Sequence, residues 1–239
     1  MQYEKYFGGR VLLIEFKNVV KDYGNAVLGA DHLSVRINQG EFVYVVGPSG
    51  AGKSTFIKLM YRDVAPTSGE IKVNNYRVDS ITNKEVPFLR RELGIVFQDF
   101  KLLPRLTIFE NVAYALQVIE KKPEDVQKRV NEVLALVGLE DKAQSFPNEI
   151  SGGEQQRVAI ARAIANHPGI LIADEPTGNL DPETSEDIMR ILEKINLDGT
   201  TVVMATHNSN MVNEHKHRVL EISAGKIARD QEGGGYENE

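Results

Sequence analysis

The chain has 239 residues, 41% of them hydrophobic, which is enough for one large globular domain or for a domain with an inserted subdomain. It has no cysteine, so disulfides and thiolate metal sites are excluded, and its start lacks the apolar core of a secretory signal. The formal net charge of −6 gives no support to nucleic-acid binding, and the longest apolar runs are too short to cross a bilayer. We therefore expect a soluble cytoplasmic protein that reaches a membrane only through a partner.

The first part of the chain has the pattern of an antiparallel β unit. Residues 1–10 are polar or glycine-rich without periodicity and predict a flexible N-terminal extension. Segments 11–20, 31–38 and 69–78 are rich in β-forming residues with partial alternation. Within the last of these, Asn74-Asn75 is suited to a hairpin turn.

Four short, continuous apolar runs predict buried parallel strands, because a half-exposed strand would alternate apolar and polar residues. The runs are 42–46, 94–97, 170–173 and 201–206. Each run is followed by polar residues, namely a glycine loop with Lys53, then Gln98, then Asp174-Glu175, then His207. Ligands bind at the carboxyl ends of strands in open α/β sheets, so these groups are predicted to converge on one site.

A helical segment separates the second strand from the third. Thr107 can cap a helix over 108–119, and Pro123 can open another that runs to Gly138. A third helix follows Ser151 and ends near Pro168. We expect one domain over residues 11–229, with a helical subdomain at about 100–165 inserted into it, and a flexible tail over 230–239.

The stretch "VVGPSGAGKST" fits the phosphate-loop pattern G-x-x-x-x-G-K-[ST] and lies between an apolar strand and a helix, the context that the motif requires. Backbone N–H groups of such a loop face phosphates, its lysine reaches the outer phosphates, and the hydroxyl of Ser54 can ligate Mg²⁺. A purely structural glycine turn is the weaker reading. The predicted phosphate-binding residues are Gly47, Pro48, Ser49, Gly50, Ala51, Gly52, Lys53, Ser54 and Thr55.

The acidic pair after the third apolar run suits catalysis of phosphate chemistry. Asp174 is placed to support Mg²⁺ through a water, and Glu175 to orient and deprotonate an attacking water. In isolation such a pair is more often a solvated acidic turn. Gln98 and His207 are weak signals individually, since both residue types are common structural groups at strand ends. They gain weight from their common position after buried strands.

A second glycine-containing helix start, "ISGGEQQR", has two readings. Ser151 and Glu154 have the spacing of a capping box. Capping does not explain Gly152 and Gly153, each of which costs about 1 kcal/mol relative to alanine in a helix unless a ligand or another backbone approaches closely. An anion at this helix end would supply that reason.

The order of Tyr23, GPSGAGKS, Gln98, ISGGEQQR, ILIADEP, NLD and His207 resembles the nucleotide-binding subunit of ABC ATPases over nearly the whole chain. The resemblance implies a P-loop NTPase of α/β class with a mainly parallel sheet, an N-terminal antiparallel β subdomain and an inserted helical subdomain. It also implies hydrolysis of ATP to ADP and phosphate with Mg²⁺. Proteins of this family close as dimers around two Mg·ATP.

The resemblance also assigns roles to individual residues. Tyr23 would stack on adenine, although a packed aromatic at a strand end remains an alternative. Gln98 would touch the metal or the attacking water, and His207 the γ-phosphate. The signature residues Ser151, Gly152, Gly153 and Glu154 would meet ATP held by the second subunit, with Glu154 turned to the helix cap. Asp181 would communicate across the dimer.

Within the family, the stretches "VFQDFKLLPRLTIFENVAYAL" and "GTTVVMATHN" are most similar to the ATPases of bacterial cell division. That similarity implies an integral membrane partner, docking near the Gln98 loop and the helical insert, and an indirect action on extracellular peptidoglycan hydrolases. The alternatives are an ATPase of lipoprotein export or macrolide efflux and, more remotely, a soluble ABC protein that acts on nucleic acid. A P-loop kinase or GTPase is disfavoured because the signature is present and the guanine-reading N-K-x-D motif is missing from the sequence.

Overall fold

The computed structural model describes residues 11–24 and 27–236, so the predicted extension over residues 1–10 lies outside the described residues. The strands are β1 Leu12–Asp22, β2 Leu28–Asn38, β3 Phe42–Val46, β4 Ser68–Val73, β5 Tyr76–Arg77, β6 Leu93–Val96, β7 Ile170–Asp174, β8 Thr201–Ala205, β9 Arg218–Ser223 and β10 Lys226–Gln231. The helices are α1 Lys53–Met60, α2 Val86–Arg91, α3 Ile108–Gln117, α4 Pro123–Leu136, α5 Gly152–Ile164, α6 Pro182–Leu197 and α7 Ser209–Glu214. Within this part of the chain, none of the helices is both long and apolar enough to span a membrane.

The larger sheet contains the four predicted parallel strands side by side. Its order is β10-β9-β3-β8-β7-β6, and the pairs from β9 through to β6 are all parallel. The four apolar runs therefore correspond to β3, β8, β7 and β6, as predicted. The sequence patterns did not identify β9 and β10, of which β10 runs antiparallel to β9 at the edge of the sheet.

The smaller sheet has the order β2-β1-β4-β5 and is entirely antiparallel. Its last hairpin pairs Val73 with Tyr76 across the turn at Asn74-Asn75, as the sequence predicted. Asn74 has a φ of 50°, a left-handed conformation that asparagine tolerates better than most residues. This sheet and α1 cover one face of the parallel sheet.

Strand β3 joins the two hydrophobic cores. Phe42, Tyr44 and Val46 belong to the cluster formed with α3 to α6, whereas Val43 and Val45 belong to the cluster formed with α1 and the antiparallel sheet. Successive side chains of a strand point to opposite faces, so a strand covered on both sides has no position for a solvent-facing residue. All five residues of β3 are buried.

The predicted helical insert corresponds in the structure to α3, α4 and α5. Thr107 caps α3, accepting a hydrogen bond from the N–H of Glu110, whose carboxylate accepts one from the N–H of Thr107. Arg129 of α4 donates to the carbonyls of Ile164 and Ala165 at the end of α5. The helices share one hydrophobic cluster with the parallel sheet.

The tail predicted over residues 230–239 begins within the last strand of the larger sheet, β10. Asp230 pairs with Leu220 in the last hairpin, and its carboxylate accepts two hydrogen bonds from the guanidinium of Arg218, both at 2.8 Å. Further on, the N–H of Tyr236 donates to Asn213 Oδ1 of α7 at 2.8 Å. The order in this segment comes from long-range pairs, which local composition does not reveal. Residues 237–239 lie outside the described residues.

Candidate functional site

The loop between β3 and α1 has the conformation that the phosphate-loop motif predicts. Gly47 and Gly52 have φ values of 140° and 113°, which residues with a Cβ rarely adopt. A Cβ on Gly47 would lie 2.1 Å from the carbonyl oxygen of Ile222, and one on Gly52 would lie 2.4 Å from that of Gly29. Both backbone shape and lack of space therefore require glycine at these two positions.

Lys53 and the start of α1 provide positive potential over this loop. The ammonium of Lys53 donates to the carbonyls of Gly47 at 2.7 Å and Pro48 at 3.1 Å. Helix α1 has no acidic side chain in its first turn and no side-chain cap, so its first N–H groups are open to an anion. Ser54, in this first turn, is exposed at the same helix end.

A groove of about 190 Å³ adjoins the loop, and Tyr23 forms part of its wall. Tyr23 is 48% exposed, and its hydroxyl lies 3.3 Å from that of Thr55. Gly29 of β2 permits this approach, because a Cβ there would lie 2.6 Å from both the Tyr23 ring and Thr55 Oγ1. Gly29 is not among the residues predicted from the sequence; a lone glycine within a strand pattern was the available signal.

Asp174 ends β7 with a half-buried carboxylate. Burial raises the pKa of Asp174 and the charge of Glu175 raises it further, whereas the ammonium groups of Lys58 and Lys53 lower it. No group among the described residues hydrogen-bonds to this carboxylate.

Together with the hydroxyl of Ser54 and the amide oxygen of Gln98, the carboxylate of Asp174 offers the hard oxygen donors that Mg²⁺ prefers. The described residues form no cluster of three or more acidic or histidine ligands.

Glu175 and His207 are in direct contact. Glu175 Oε2 lies 2.8 Å from His207 Nδ1 and accepts a hydrogen bond from the N–H of His207 at 3.3 Å. The N–H of Glu175 donates to the carbonyl of Ala205, the last residue of β8. These bonds hold Glu175 at a φ of 49°, which is unfavourable for a residue with a side chain. The ends of β7 and β8 thus position the two side chains together.

Gln98 lies beside this pair. A Cβ on Gly178 would be 3.3 Å from Gln98 Nε2 and 3.6 Å from Glu175 Cβ, so Gln98 and Glu175 flank Gly178. The structure therefore brings Gln98, Glu175 and His207 to one edge of the sheet. At the same edge the charge of Lys53 lowers the pKa of Asp174.

The start of α5 contains the expected capping box. Ser151 Oγ accepts the N–H of Glu154 at 3.3 Å, and Glu154 Oε2 accepts the N–H of Ser151 at 2.8 Å. Hydrogen bonds from the backbone N–H and then the side chain of Ser151 to the carboxylate lower the pKa of Glu154. The carboxylate of Glu154 is therefore turned to the cap, as the sequence analysis expected.

The two glycines of this helix start differ in their surroundings. Gly153 is buried, and a Cβ there would lie 2.3 Å from Thr184 Cγ2 of α6. Gly152 is exposed, and a Cβ there would meet its nearest atoms, in Leu180 and Phe100, only at 3.8 and 4.0 Å. A contact within the chain thus explains Gly153, which the sequence analysis had explained by a ligand or another backbone. Local packing does not explain Gly152.

Asp181 has a local role that the sequence analysis did not consider. It is the N-cap of α6, and its carboxylate accepts the N–H of Thr184 at 3.0 Å and the hydroxyl of Thr184 at 2.6 Å. The same threonine limits the space at Gly153. Asp181 therefore fixes the side chain against which the start of α5 packs.

The chain is similar to known ATP-binding proteins. The model of the ABC transporter family matches residues 30–178. The cell division ATP-binding protein FtsE of Bacillus subtilis is 59% identical over 224 residues, covering 94% of this chain and 98% of the relative. The protein of the same name from Escherichia coli is 43% identical over 215 residues, covering 90% and 97%.

The fold has a close match among solved structures. An ATP-binding cassette, solved as a dimer in a post-hydrolysis state with ADP and Pi, is 39% identical and superposes with a TM-score of 0.83 over 94% of this chain and 100% of that one. The protein cbiO1 from Clostridium perfringens, part of the ABC transporter complex cbiONQ, gives a TM-score of 0.86 at 29% identity, covering 93% of this chain and 89% of that one. The predicted P-loop α/β fold is confirmed.

Substitution of the two glycines by alanine should separate packing from function. Gly153→Ala should lower the free energy of unfolding by about 1–3 kcal/mol because its Cβ overpacks against Thr184. Gly152→Ala should leave stability unchanged or slightly higher, since alanine favours helix. Chemical denaturation measures both effects.

The control for the overpacking is Gly153→Ala combined with Thr184→Ser, which removes Cγ2 but keeps the hydroxyl bonded to Asp181. Stability should return in the double variant. A loss of the same size in Gly152→Ala would contradict the different surroundings of the two glycines.

Proposed function

Because the chain belongs to the ABC transporter family of ATPases, we propose that two copies close around two ATP molecules, each held between the phosphate loop of one copy and the start of α5 of the other. The observation that carries this proposal is Gly152, an exposed helix-start glycine for which the chain itself supplies no packing reason. The dimeric cassette with ADP and Pi, 39% identical to this chain, supports the same arrangement.

The reaction at each site is hydrolysis of the terminal phosphate of ATP. Lys53 and the N–H groups of the loop bind the outer phosphates, and Tyr23 stacks on the adenine. Mg²⁺, when bound, neutralises charge that develops on the phosphates, and Ser54, Gln98 and Asp174 would hold it, Asp174 through a water.

In this proposal Glu175 is the base that accepts the proton, and His207 orients the carboxylate of Glu175. The carboxylate of Glu175 accepts a proton from the attacking water, and Gln98, which lies near Gly178 as Glu175 does, holds that water in place. His207, in contact with Glu175 Oε2, fixes the orientation of the carboxylate and reaches the γ-phosphate. The phosphate of the ATP held by the opposite copy is bound by Ser151, Gly152 and Gly153. Asp181, at the start of α6, communicates between the two sites.

The wider role proposed is in bacterial cell division. The relatives at 43–59% identity are named for it. An integral membrane partner of the FtsX type would dock on the Gln98 loop and the helical insert of about residues 100–165, holding the ATPase at the inner face of the plasma membrane. Tyr114, Val118 and Leu103 offer exposed apolar side chains on that surface, at 49%, 52% and 38% exposure. Through this partner, dimer closure would control extracellular peptidoglycan hydrolases.

Replacing the proposed base should separate binding from turnover. Glu175→Gln keeps the size and most contacts of the side chain but cannot accept a proton, so turnover should fall by about 10²–10⁴-fold while ATP binding is retained. Glu214→Gln, at an exposed site in α7, is the matched control and should behave as the unaltered chain. Unchanged hydrolysis in Glu175→Gln would refute the role of this residue as the base.

Mixing two inactive chains tests whether each site is shared between copies. Lys53→Ala removes the phosphate-binding ammonium and Ser151→Arg blocks the start of α5. Random pairing should restore activity to about a quarter of that of the unaltered protein, because half of the dimers have one intact site of two. The control mixes Lys53→Ala with the Lys53→Ala/Ser151→Arg double variant, which can form no intact site. No recovery in a confirmed heterodimer would contradict two independent shared sites.

Affinity capture from bacterial membranes tests the partner. Glu175→Gln loaded with Mg·ATP should retain one integral membrane protein of the FtsX type, identified by mass spectrometry, and Leu103→Asp combined with Tyr114→Asp should lose it without loss of ATP binding. Capture of a lipoprotein-export or macrolide-efflux permease instead would replace the cell-division role by transport.

A further inference from the structure

Arg162 connects α5 to the loop that follows Gln98. It lies in the last turn of α5, and its guanidinium donates from Nη1 to the carbonyl of Lys101 at 2.6 Å and from Nη2 to the carbonyl of Phe100 at 2.8 Å. One planar side chain thus holds two successive carbonyls of a segment that is itself neither helix nor strand.

The backbone at these two residues is unfavourable without such support. Phe100 and Lys101 have φ values of 57° and 49°, and two successive residues with side chains in the left-handed region are sterically disfavoured. The fork of the guanidinium matches two acceptors at once, so Arg162 compensates for a conformation that the loop would not adopt by itself.

The guanidinium of Arg162 binds backbone carbonyls of this loop and does not form an ion pair with a described residue. Burial lowers the pKa of Arg162, and its hydrogen-bond partners among the described residues are backbone carbonyls, not carboxylates. A half-buried cation without a counter-ion is expensive for the fold. An apolar side chain would pack at less cost but would leave the two carbonyls without donors.

The loop also touches both parts of the ATPase site. Gln98, two residues before Phe100, lies beside Gly178 and Glu175. The ring of Phe100 is the nearest neighbour, after Leu180, of a Cβ built on Gly152 at the start of α5. The four residues from Gln98 to Lys101 therefore meet the acidic pair of their own site and both ends of α5.

We propose that Arg162 is a positioning residue for ATP hydrolysis: it fixes the Gln98 loop on α5, so that Gln98 stays beside Glu175 only while the start of α5 is correctly placed on the second copy's ATP. The inference rests on the role proposed above for Gln98. It assigns to Arg162 the link between the site at which a chain hydrolyses ATP and the site to which it lends its helix.

The first test compares Arg162→Lys with Arg129→Lys in the full-length chain. Arg129 is a matched control because it also donates to two backbone carbonyls of the insert, those of Ile164 and Ala165, both at 2.9 Å, and its hydrogen bonds among the described residues do not reach the Gln98 loop. Lysine keeps the charge and loses the two-pronged geometry in both variants. In Arg162→Lys, kcat should fall on the order of 10- to 100-fold with KM for ATP changed less than about twofold, since displacement of a positioning loop impairs turnover more than binding. Arg129→Lys should keep kcat within about twofold at a similar change in Tm.

The second test is a double-mutant cycle with Gln98→Ala. If Arg162 acts through Gln98, the double variant should be hardly slower than the slower single variant, because both remove the same contribution. Losses that multiply would overturn the inference, as would equal losses of kcat in Arg162→Lys and Arg129→Lys, or a change in KM alone. Full activity of Arg162→Lys beside an inactive Glu175→Gln would overturn this inference and leave the proposed function intact.

A third measurement does not depend on folding of the Arg162 variants. Hydrogen exchange of Glu175→Gln, with and without Mg·ATP, should show residues 99–103 and the first turn of α5 gaining protection together. Protection of the loop without α5 would overturn the proposed link.

Discussion

The parallel pairing of β3, β8, β7 and β6 is the constraint on which the site depends. These strands are apolar on both faces, so they are stable only between two covering layers, and the two hydrophobic clusters supply them. Their register places Asp174 opposite Ala205 and thereby sets Glu175 against the strand end before His207. Each catalytic group directly follows one of these strands, and the neighbouring strands fix the position of that strand in the sheet. Groups that are far apart in the sequence therefore meet at one edge of the sheet.

Local patterns in the sequence predicted the parts of the fold that local physics determines. Continuous apolar runs identified the buried strands, S-x-x-E spacing identified the capping box at Ser151, and Thr107 was identified as a helix cap. The conformational cost of glycine marked the start of α5 as unusual, but the neighbour that fills the space at Gly153 is Thr184, which only the packed structure brings there. The edge hairpin that contains Asp230 and the contact of Arg162 with Phe100 likewise depend on partners distant in the chain.

Two charged groups of the site, Lys53 and Glu175, are already hydrogen-bonded to the protein. Lys53 is held by the carbonyls of Gly47 and Pro48, and Glu175 by His207. A ligand must therefore offer stronger partners than these, and phosphate oxygens do so for an ammonium because both groups are charged. Exchange of partners, with little movement of the backbone, is the change that such a site requires. The strained backbone at Glu175 is maintained by the same bonds before the ligand arrives.

The sharing of β3 between the two cores has a mechanical consequence. Tyr44 belongs to the cluster that also contains the helices of the insert, and its neighbours Val43 and Val45 belong to the cluster with α1 and the antiparallel sheet. A force applied to the insert is therefore transmitted to β3, the strand that leads directly into the phosphate loop. Because β3 belongs to both cores, no flexible hinge separates them. Tension on the outer surface of the insert therefore reaches the nucleotide site through a packed core.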